Sequence, residues 1–236
     1  MRYPVLNKRL STVASWVRAG SVLADIGTDH GYLAANLVGR GVCPRAYACD
    51  VGSLPLARAR ETVTHYGLSD KISLVLSDGL TGLAPHSAQD IVIAGMGGEL
   101  IARILNAAPW VQDESVRLIL QPMTRQEDLR RYLYQNGFEI VAERGVCEGR
   151  HSYTVMCVHY TGRRILQPDA LMISLGGLGD SPDEETKEYI RRLLRKEHRK
   201  AEGILASSLE HREALAKQTQ DFIKEIERAT GVALEE

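Results

Sequence analysis

The chain has 236 residues, 44% of them hydrophobic and 25% charged, so it can bury a sizeable core and wholesale disorder is excluded. Its 29 Lys and Arg residues against 30 Asp and Glu give a formal net charge of -1, which argues against a protein that coats nucleic acid by bulk charge. No apolar run reaches the roughly 18 residues of a membrane span, and the first residues lack the apolar segment of a secretion signal. We therefore expect a soluble, cytoplasmic protein with no membrane partner.

Short apolar runs alternate with helix-length segments through the first half of the chain. Five runs have the character of buried strands: VLADIG, AYACD, ISLVLSDG, DIVIAG and VRLILQP. The helices expected between and after them are residues 31–40, 54–66, 98–106 and 125–136. This alternation is typical of a parallel sheet covered by helices on both faces.

Two further apolar runs, residues 138–144 and 153–160, are joined by a connection too short for a crossover helix. They are therefore predicted to pair antiparallel. Five parallel strands closed by such a pair are typical of class I methyltransferases that use S-adenosylmethionine, whereas a dinucleotide dehydrogenase normally continues with βαβ units. We predict an α/β, Rossmann-like fold with a mostly parallel seven-stranded sheet.

The amino-acid composition changes after Tyr160. A connector rich in Gly, Pro and Asp follows, with one short apolar patch at residues 170–175. Beyond it, residues 183–229 contain no proline. They are rich in both acidic and basic residues, and their apolar residues recur at helical spacing. This pattern predicts a coiled-coil-like hairpin of two packed antiparallel helices. A long continuous dimeric coiled coil is less favoured, because Glu197 and His211 would lie on or near its apolar seam. We place a Rossmann-like domain at residues 1–162, and the connector and hairpin at 163–236.

The stretch DIGTDHGYL directly follows the first predicted strand. Its glycines let the backbone turn sharply and approach a ligand, and the next helix presents unpaired N–H groups. The spacing differs from the GxGxxG of dinucleotide folds, which suits S-adenosylmethionine because that cofactor has no pyrophosphate. We predict that Asp25, Gly27 and Gly31 contact this cofactor; a tight structural turn is the alternative.

Acidic residues also end the second and third predicted strands. Asp50 stands where a carboxylate can bind both ribose hydroxyls, and Asp78 and Gly79 would lie beside the adenine ring. A helix cap and a plain turn are the competing interpretations. Since ligands bind at the carboxyl ends of parallel strands, the joint placement favours a cofactor site.

The fourth strand ends in three glycines among four residues. The polar-Pro-Pro-aromatic motif usual in enzymes that methylate exocyclic amines is not found here. We expect Gly95 beside the cofactor and Gly97 and Gly98 beside the substrate, although a helix-entry turn would use the same residues.

The combination of DIGTDHGYL, IAGMGGELI, LILQP and LRRYLYQNGFEIVAE resembles the bacterial tRNA (adenine-22) N1-methyltransferase family, over about residues 10–158. The resemblance implies S-adenosylmethionine as cofactor, tRNA as partner, methylation of an adenine N1, and a C-terminal hairpin that helps to grip tRNA. Gln121 and Pro122 are expected on the substrate side. The chain departs from the family's pattern at Met123, where an asparagine is usual, and over residues 151–155.

Methylation at N1 leaves a positive charge on the adenine ring, which a nearby carboxylate would stabilise. Asp29 is the candidate, with the N-cap of the following helix as its alternative. His30 is a weaker candidate, for proton handling, and is otherwise a structural residue. Tyr32 and Tyr153 are candidates for stacking on the extruded base, with a half-buried core position as the alternative.

Basic residues at spacings of three and four lie on the first hairpin helix, a pattern suited to following phosphates. They are Arg191, Arg192, Arg195, Lys196, Arg199 and Lys200. We single out Arg191, Arg195 and Arg199 as substrate contacts, while interleaved glutamates leave a merely solvated face as the alternative. Near the N-terminus, further basic residues would extend the patch: Arg2, Lys8, Arg9 and Arg18.

Two other functions remain open from the sequence. One is a methyltransferase for a different RNA, a small molecule or a protein; the other is a catalytically silent tRNA-binding protein. The candidate cofactor residues argue against the silent protein, and the basic helix argues against a small substrate. The four cysteines form no CxxC pair and lie near no histidine cluster, so we predict no metal site. We expect a monomer.

Overall fold

The computed structural model describes residues 3–180 and 182–234. Its sheet has seven strands: β1 (Leu23–Ile26), β2 (Ala46–Asp50), β3 (Ile72–Leu76), β4 (Asp90–Gly97), β5 (Arg117–Thr124), β6 (Phe138–Glu148) and β7 (His151–Tyr160). Their order across the sheet is β3-β2-β1-β4-β5-β7-β6. Only β7 runs against the others, because it pairs antiparallel with both β5 and β6. The predicted Rossmann-like, mostly parallel sheet is confirmed.

Eight helices accompany the described strands: α1 (Lys8–Ser15), α2 (Tyr32–Gly39), α3 (Ser53–His65), α4 (Gly98–Asn106), α5 (Gln126–Gln135), α6 (Ala170–Leu175), α7 (Glu184–Ala206) and α8 (Arg212–Thr230). The four helices predicted in the first half are confirmed, with ends shifted by no more than about two residues. Helix α1 has no counterpart in the prediction. Residues 77–89, between β3 and β4, form turns without a helix.

The central strands are buried on both faces, which explains why their sequences are continuous apolar runs. On one face, Ile91 and Ile93 of β4 pack with residues of α4 and α5 such as Ile101 and Leu129. On the other face, residues of α1 and α2 cover the sheet, among them Val13, Leu33 and Leu37. The core therefore lies on both sides of the sheet.

Helices α7 and α8 form the predicted hairpin, joined by five residues, 207–211. Apolar residues of both helices and of their flanking segments fill the seam: Leu175, Ile190, Leu194, Ile223, Ile226 and Val232. Glu197 is buried, with Lys200 Nζ 3.3 Å away. The start of α7 covers the edge strand β6, where Glu185 accepts from the Cys147 N–H and Thr186 from the Gly145 N–H. These contacts satisfy N–H groups that an edge strand leaves open.

A buried ion pair ties the connector to the sheet. Arg130 of α5 and Glu143 of β6 are both fully buried, with Nη2 2.6 Å from Oε1. Arg130 Nη1 also donates to the carbonyl oxygens of Ile173 and Ser174, and the Gly177 N–H donates to Glu143. Backbone groups of the segment after residue 162 thus complete the hydrogen bonding of two charges buried between α5 and β6.

Candidate active site

The carboxyl ends of β1, β2, β4 and β5 lie side by side, because Ile26 is paired with Cys49 and Ile93, and Ala94 with Gln121. We call this side of the sheet, where the parallel strands end, the carboxyl edge. The strands and the loops that follow them bring most of the predicted site residues to it. They are Asp25, Gly27, Asp29, His30, Gly31, Tyr32, Asp50, Asp78, Gly79, Gly95, Gly97, Gly98, Gln121 and Pro122.

Gly27 is the point where the loop after β1 crosses the end of β4. Its φ of +79° belongs to the left-handed region, and its N–H donates to the Cys49 carbonyl over 2.8 Å. A Cβ atom here would lie 2.1 Å from Cε of Met96. Any side chain would therefore displace Met96 and strain the backbone, so glycine is required for this close approach.

Asp25 is buried at the end of β1 and accepts a hydrogen bond of 2.9 Å from the Thr28 hydroxyl. Burial raises the pKa of its carboxyl to about 6, and the nearby Asp50 carboxylate acts in the same direction. Ionising a buried carboxyl costs free energy, and a cation placed beside Asp25 would reduce that cost by stabilising the carboxylate form.

Asp50 is half-buried, and its Oδ1 accepts from the Gly52 N–H over 2.7 Å, which orders the turn into α3. The apolar side chains that follow are exposed: Val51 by 72% and Leu54 by 63%. Neither residue was predicted from the sequence to belong to the site. Val51 did carry a signal, because it is an apolar residue placed directly after the acidic residue that ends β2. A carboxylate beside exposed apolar surface suits a nucleoside, which presents hydroxyls at one end and an aromatic ring at the other.

Asp29 does not cap α2. The N-cap residue is Gly31, in a left-handed conformation and with no side-chain hydrogen bond, so the N-cap interpretation of Asp29 is wrong. Its carboxylate instead lies 2.8 Å from Arg58 Nη1 and 3.2 Å from His30 Nε2. The His30 ring stacks on Tyr32, with centroids 5.1 Å apart. The Asp29 side chain stays 60% exposed, so its charge is accessible at the carboxyl edge.

Gln121 is fully buried in β5, three residues before the strand ends. Its Oε1 accepts from the Gly95 N–H over 3.1 Å and from Nη1 of Arg9, and its Nε2 donates to the Pro122 carbonyl. The Arg9 guanidinium also lies over the ring of Tyr153, 5.9 Å from its centroid. Arg9 therefore connects two predicted substrate residues that are distant in sequence.

Three of the predicted glycines are packed closely against other elements. An added Cβ would lie 3.2 Å from Cβ of Ala59 at Gly31, 2.8 Å from the Ile104 side chain at Gly79, and 2.2 Å from the Arg125 carbonyl oxygen at Gly98. Packing alone accounts for glycine at these positions. Asp78, beside Gly79, is exposed.

A basic groove of about 390 Å³ lies between α7 and the turn from β6 to β7. Its lining residues are Gln126, Arg150, His151, Ser152, Tyr189, Arg192, Leu193, Arg195, Lys196 and Arg199. Gln126 begins α5, directly after β5, so the basic groove starts beside the carboxyl edge. Of the predicted substrate arginines, Arg195 and Arg199 line it, whereas Arg191 lies outside that lining, 3.9 Å from Glu188.

The expected N-terminal extension of this patch does not form as predicted. Arg18 lies at the opposite edge of the sheet, where its Nε donates to Asp90 over 2.7 Å, so its assignment to the patch was wrong. Lys8 pairs with Glu185 at the start of α7, 2.6 Å away. Arg9 is directed to Gln121. Arg2 lies outside the described residues.

In the described parts of the chain, no helix has the length and apolar character needed to cross a membrane. Across residues 3–180 and 182–234, no cluster of three or more His, Cys, Asp or Glu side chains is arranged to hold a metal ion.

Comparison with known proteins gives matches along most of the chain. Residues 6–156 match the model of a methyltransferase domain family. A tRNA (adenine(22)-N(1))-methyltransferase of Bacillus subtilis is 37% identical over 173 residues, which cover 73% of this chain and 72% of the relative. The crystal structure of the B. subtilis M1A22 tRNA methyltransferase TrmK matches with a TM-score of 0.80 at 29% identity, over 96% of this chain and 99% of that one.

A candidate tRNA (m1A22) methyltransferase of Streptococcus pneumoniae, solved in complex with S-adenosyl-L-methionine, matches with a TM-score of 0.76 at 34% identity, over 94% of this chain and 99% of that one. The matched domain contains the whole carboxyl edge, and the structural matches extend through most of the chain, beyond the domain. The chain therefore belongs to the family of tRNA (adenine-22) N1-methyltransferases, enzymes that use S-adenosylmethionine.

Proposed function

We propose that this protein transfers a methyl group from S-adenosylmethionine to N1 of adenine 22 in tRNA. The observation that carries the proposal is the distribution of charge around the site. Carboxylates occupy the carboxyl edge, whereas arginine and lysine side chains line the basic groove that begins beside it. This arrangement suits a substrate with a phosphate backbone whose reacting base becomes cationic. We place this activity in the cytoplasm, as expected from the sequence.

The residues of the carboxyl edge fit the cofactor. Gly27 provides the left-handed turn that carries the loop after β1 along the carboxyl edge, and Asp50 offers a carboxylate to the ribose hydroxyls. Val51 and Leu54 supply apolar surface for the adenine ring, and the buried Asp25 carboxylate suits the ammonium group of the methionine part. When bound, S-adenosylmethionine supplies an electrophilic methyl group attached to a positively charged sulfur.

The protein's main task on the substrate side is positioning. Adenine N1 carries an in-plane lone pair, so no covalent nucleophile is needed from the chain. Tyr32 is 44% exposed at the edge and offers a face on which the extruded base stacks. As N1 becomes methylated, the accessible Asp29 carboxylate stabilises the positive charge that develops on the ring.

Residues 163–236 serve the same reaction by gripping the tRNA backbone. Within the basic groove, Lys196 and Arg199 have no carboxylate within ion-pairing distance among the described residues, whereas Arg192 and Arg195 share Glu188. Free and shared cations along one helix provide successive contacts for phosphates.

The test is to incubate bulk tRNA with the protein and methyl-labelled S-adenosylmethionine, then to identify the labelled nucleosides by mass spectrometry. We expect label in 1-methyladenosine. Parallel reactions with ribosomal RNA, with a protein extract and with small metabolites cover the other substrate classes. Label in a different nucleoside, or only in one of those parallel reactions, would refute the proposal, as would cofactor binding without any transfer.

A further inference from the structure

Arg9 stands at the junction of three parts of the site. Its guanidinium donates to Gln121 and lies over Tyr153, while its backbone N–H donates to Oε1 of Glu148, 2.8 Å away in the β6–β7 hairpin. The side chain is half-buried. An arginine that serves only as a phosphate contact keeps its guanidinium in solvent, whereas this one is engaged by the protein itself.

The partner of Arg9 is a side chain whose orientation matters. Gln121 is fully buried, and its amide oxygen accepts from both Arg9 and the Gly95 N–H. Because both donors contact the same atom, that atom must be the amide oxygen, and this sets the orientation of the side-chain amide. Its NH2 group is thereby directed toward Pro122 and Met123 in the last part of β5. Without Arg9, one acceptor site of a buried amide loses its partner, and the orientation of the amide is less constrained.

Helix α1 is itself held in place, so the guanidinium reaches the site from a fixed base. Asn7 caps the helix by accepting from the Leu10 N–H, and Val13 is fully buried against the sheet. The neighbouring Lys8 pairs with Glu185 of α7. Helix α1 thus connects the carboxyl edge to the β6–β7 hairpin and to the start of α7.

We infer that Arg9 is a positioning residue of the methyl-transfer site, which acts by fixing the buried amide of Gln121 on the substrate side. The inference rests on the proposed function, since Gln121 is a substrate residue only if the base enters beside it. A positioning residue of this kind affects the rate of transfer in the bound complex and leaves cofactor affinity unchanged.

The experiment compares Arg9→Gln and Arg9→Lys with Arg40→Gln, which removes one exposed positive charge at the far end of α2. Single-turnover methyl transfer is measured with saturating cofactor and tRNA, together with both dissociation constants and the melting temperature. We expect Arg9→Gln to slow transfer roughly 10- to 100-fold, the scale lost when a reacting group is slightly misplaced. Arg9→Lys should restore only part of the rate, because an ammonium group lacks the planar fork of the guanidinium. Arg40→Gln should match the wild type.

A double-mutant cycle separates positioning from a general structural effect. If Arg9 acts through Gln121, then adding Arg9→Gln to Gln121→Ala should slow transfer no further. Rates that multiply in the double variant, or an Arg9→Gln rate within threefold of the wild type, would overturn the inference. So would a loss confined to tRNA affinity, which would make Arg9 a phosphate contact. A wild-type protein that fails to methylate tRNA would instead refute the proposed function, so the two failures are distinguishable.

Discussion

The carboxylate of Asp29 lies 2.8 Å from Nη1 of Arg58, which projects from α3. Both side chains are substantially exposed, and an ion pair of this kind contributes about 0–1 kcal/mol to stability. The pair therefore does little for the fold, but it partly compensates the charge of the residue expected to stabilise the methylated base. Two roles for Asp29 follow from it: the carboxylate acts on the substrate directly, or it only holds Arg58 in place.

Replacing Asp29 by Asn distinguishes these roles. If the carboxylate stabilises the developing positive charge, Asp29→Asn should slow single-turnover methyl transfer by roughly 100-fold or more, the scale lost with one preorganised electrostatic partner. Arg58→Gln, which removes the other half of the pair, should change the rate far less. Equal losses in the two variants would show that Asp29 serves only to anchor Arg58.

Asp50 is expected to hold the ribose hydroxyls of the cofactor. Asp50→Ala should weaken binding of S-adenosylmethionine by about 1.5–3 kcal/mol, the range for hydrogen bonds to charged groups. Isothermal titration calorimetry measures this directly. Asp70→Ala, which removes an exposed carboxylate just before β3 at the opposite edge, is the matched control. Unchanged affinity in a folded Asp50→Ala protein would remove Asp50 from the site.

The buried Asp25 carboxyl predicts a dependence on pH. Because burial raises its pKa to about 6, its contribution to the stability of the cofactor-free protein is complete below the ordinary pKa of about 4 and is lost as the pH rises through 6. Asp25→Asn should therefore raise the melting temperature at pH 7.5 and have a smaller effect at pH 5. In calorimetry, wild-type cofactor affinity should fall as the pH drops below 6, and the variant should lose this dependence. A pH-independent difference between the two proteins would contradict the prediction.

The basic groove predicts salt-dependent binding of tRNA. Changing Arg195 and Arg199 together to Glu should weaken tRNA binding at least tenfold and reduce its dependence on salt, because fewer counterions are released. Cofactor affinity should stay the same. The control carries the same charge reversal at Lys224 and Arg228, both exposed on α8. Equal weakening in the two double variants would show that net charge, and not the groove, governs binding.

The segment after Asp169 also supports the fold of the preceding residues, so the 236-residue chain is the form suited to these experiments. A truncation at Asp169 would remove the Ile173 and Ser174 carbonyls that accept from the buried Arg130. Buried charges left without partners cost several kcal/mol, so a shortened protein would lose stability together with its basic helix. Loss of tRNA binding by such a protein would not identify the cause.

The sheet and its edge could be predicted because they rest on regular patterns. Buried parallel strands give continuous apolar runs such as residues 91–93, and the ends of such strands must meet at one edge. That geometry is enough to place Asp25, Asp50 and Gln121 together from the amino-acid sequence alone.

The remaining features depend on contacts between single polar side chains. Arg9 and Gln121 are separated by 112 residues, and no local periodicity relates them. Arg58 and Arg130 lie on helices whose sequences are compatible with ordinary solvated faces, yet one pairs with Asp29 and the other is fully buried. Helix α1 did carry a signal, since Asn7 precedes apolar residues at helical spacing.

The most direct test of the function is to locate the methyl group within a tRNA. An unmodified transcript with adenine at position 22 is compared with one that carries guanine there, each after incubation with the protein and S-adenosylmethionine. A methyl group on N1 blocks Watson–Crick pairing, so reverse transcription should stop next to position 22 in the first transcript and read through the second. Read-through of both transcripts, or a stop that persists when position 22 is guanine, would contradict the assignment of this protein as an adenine-22 N1-methyltransferase.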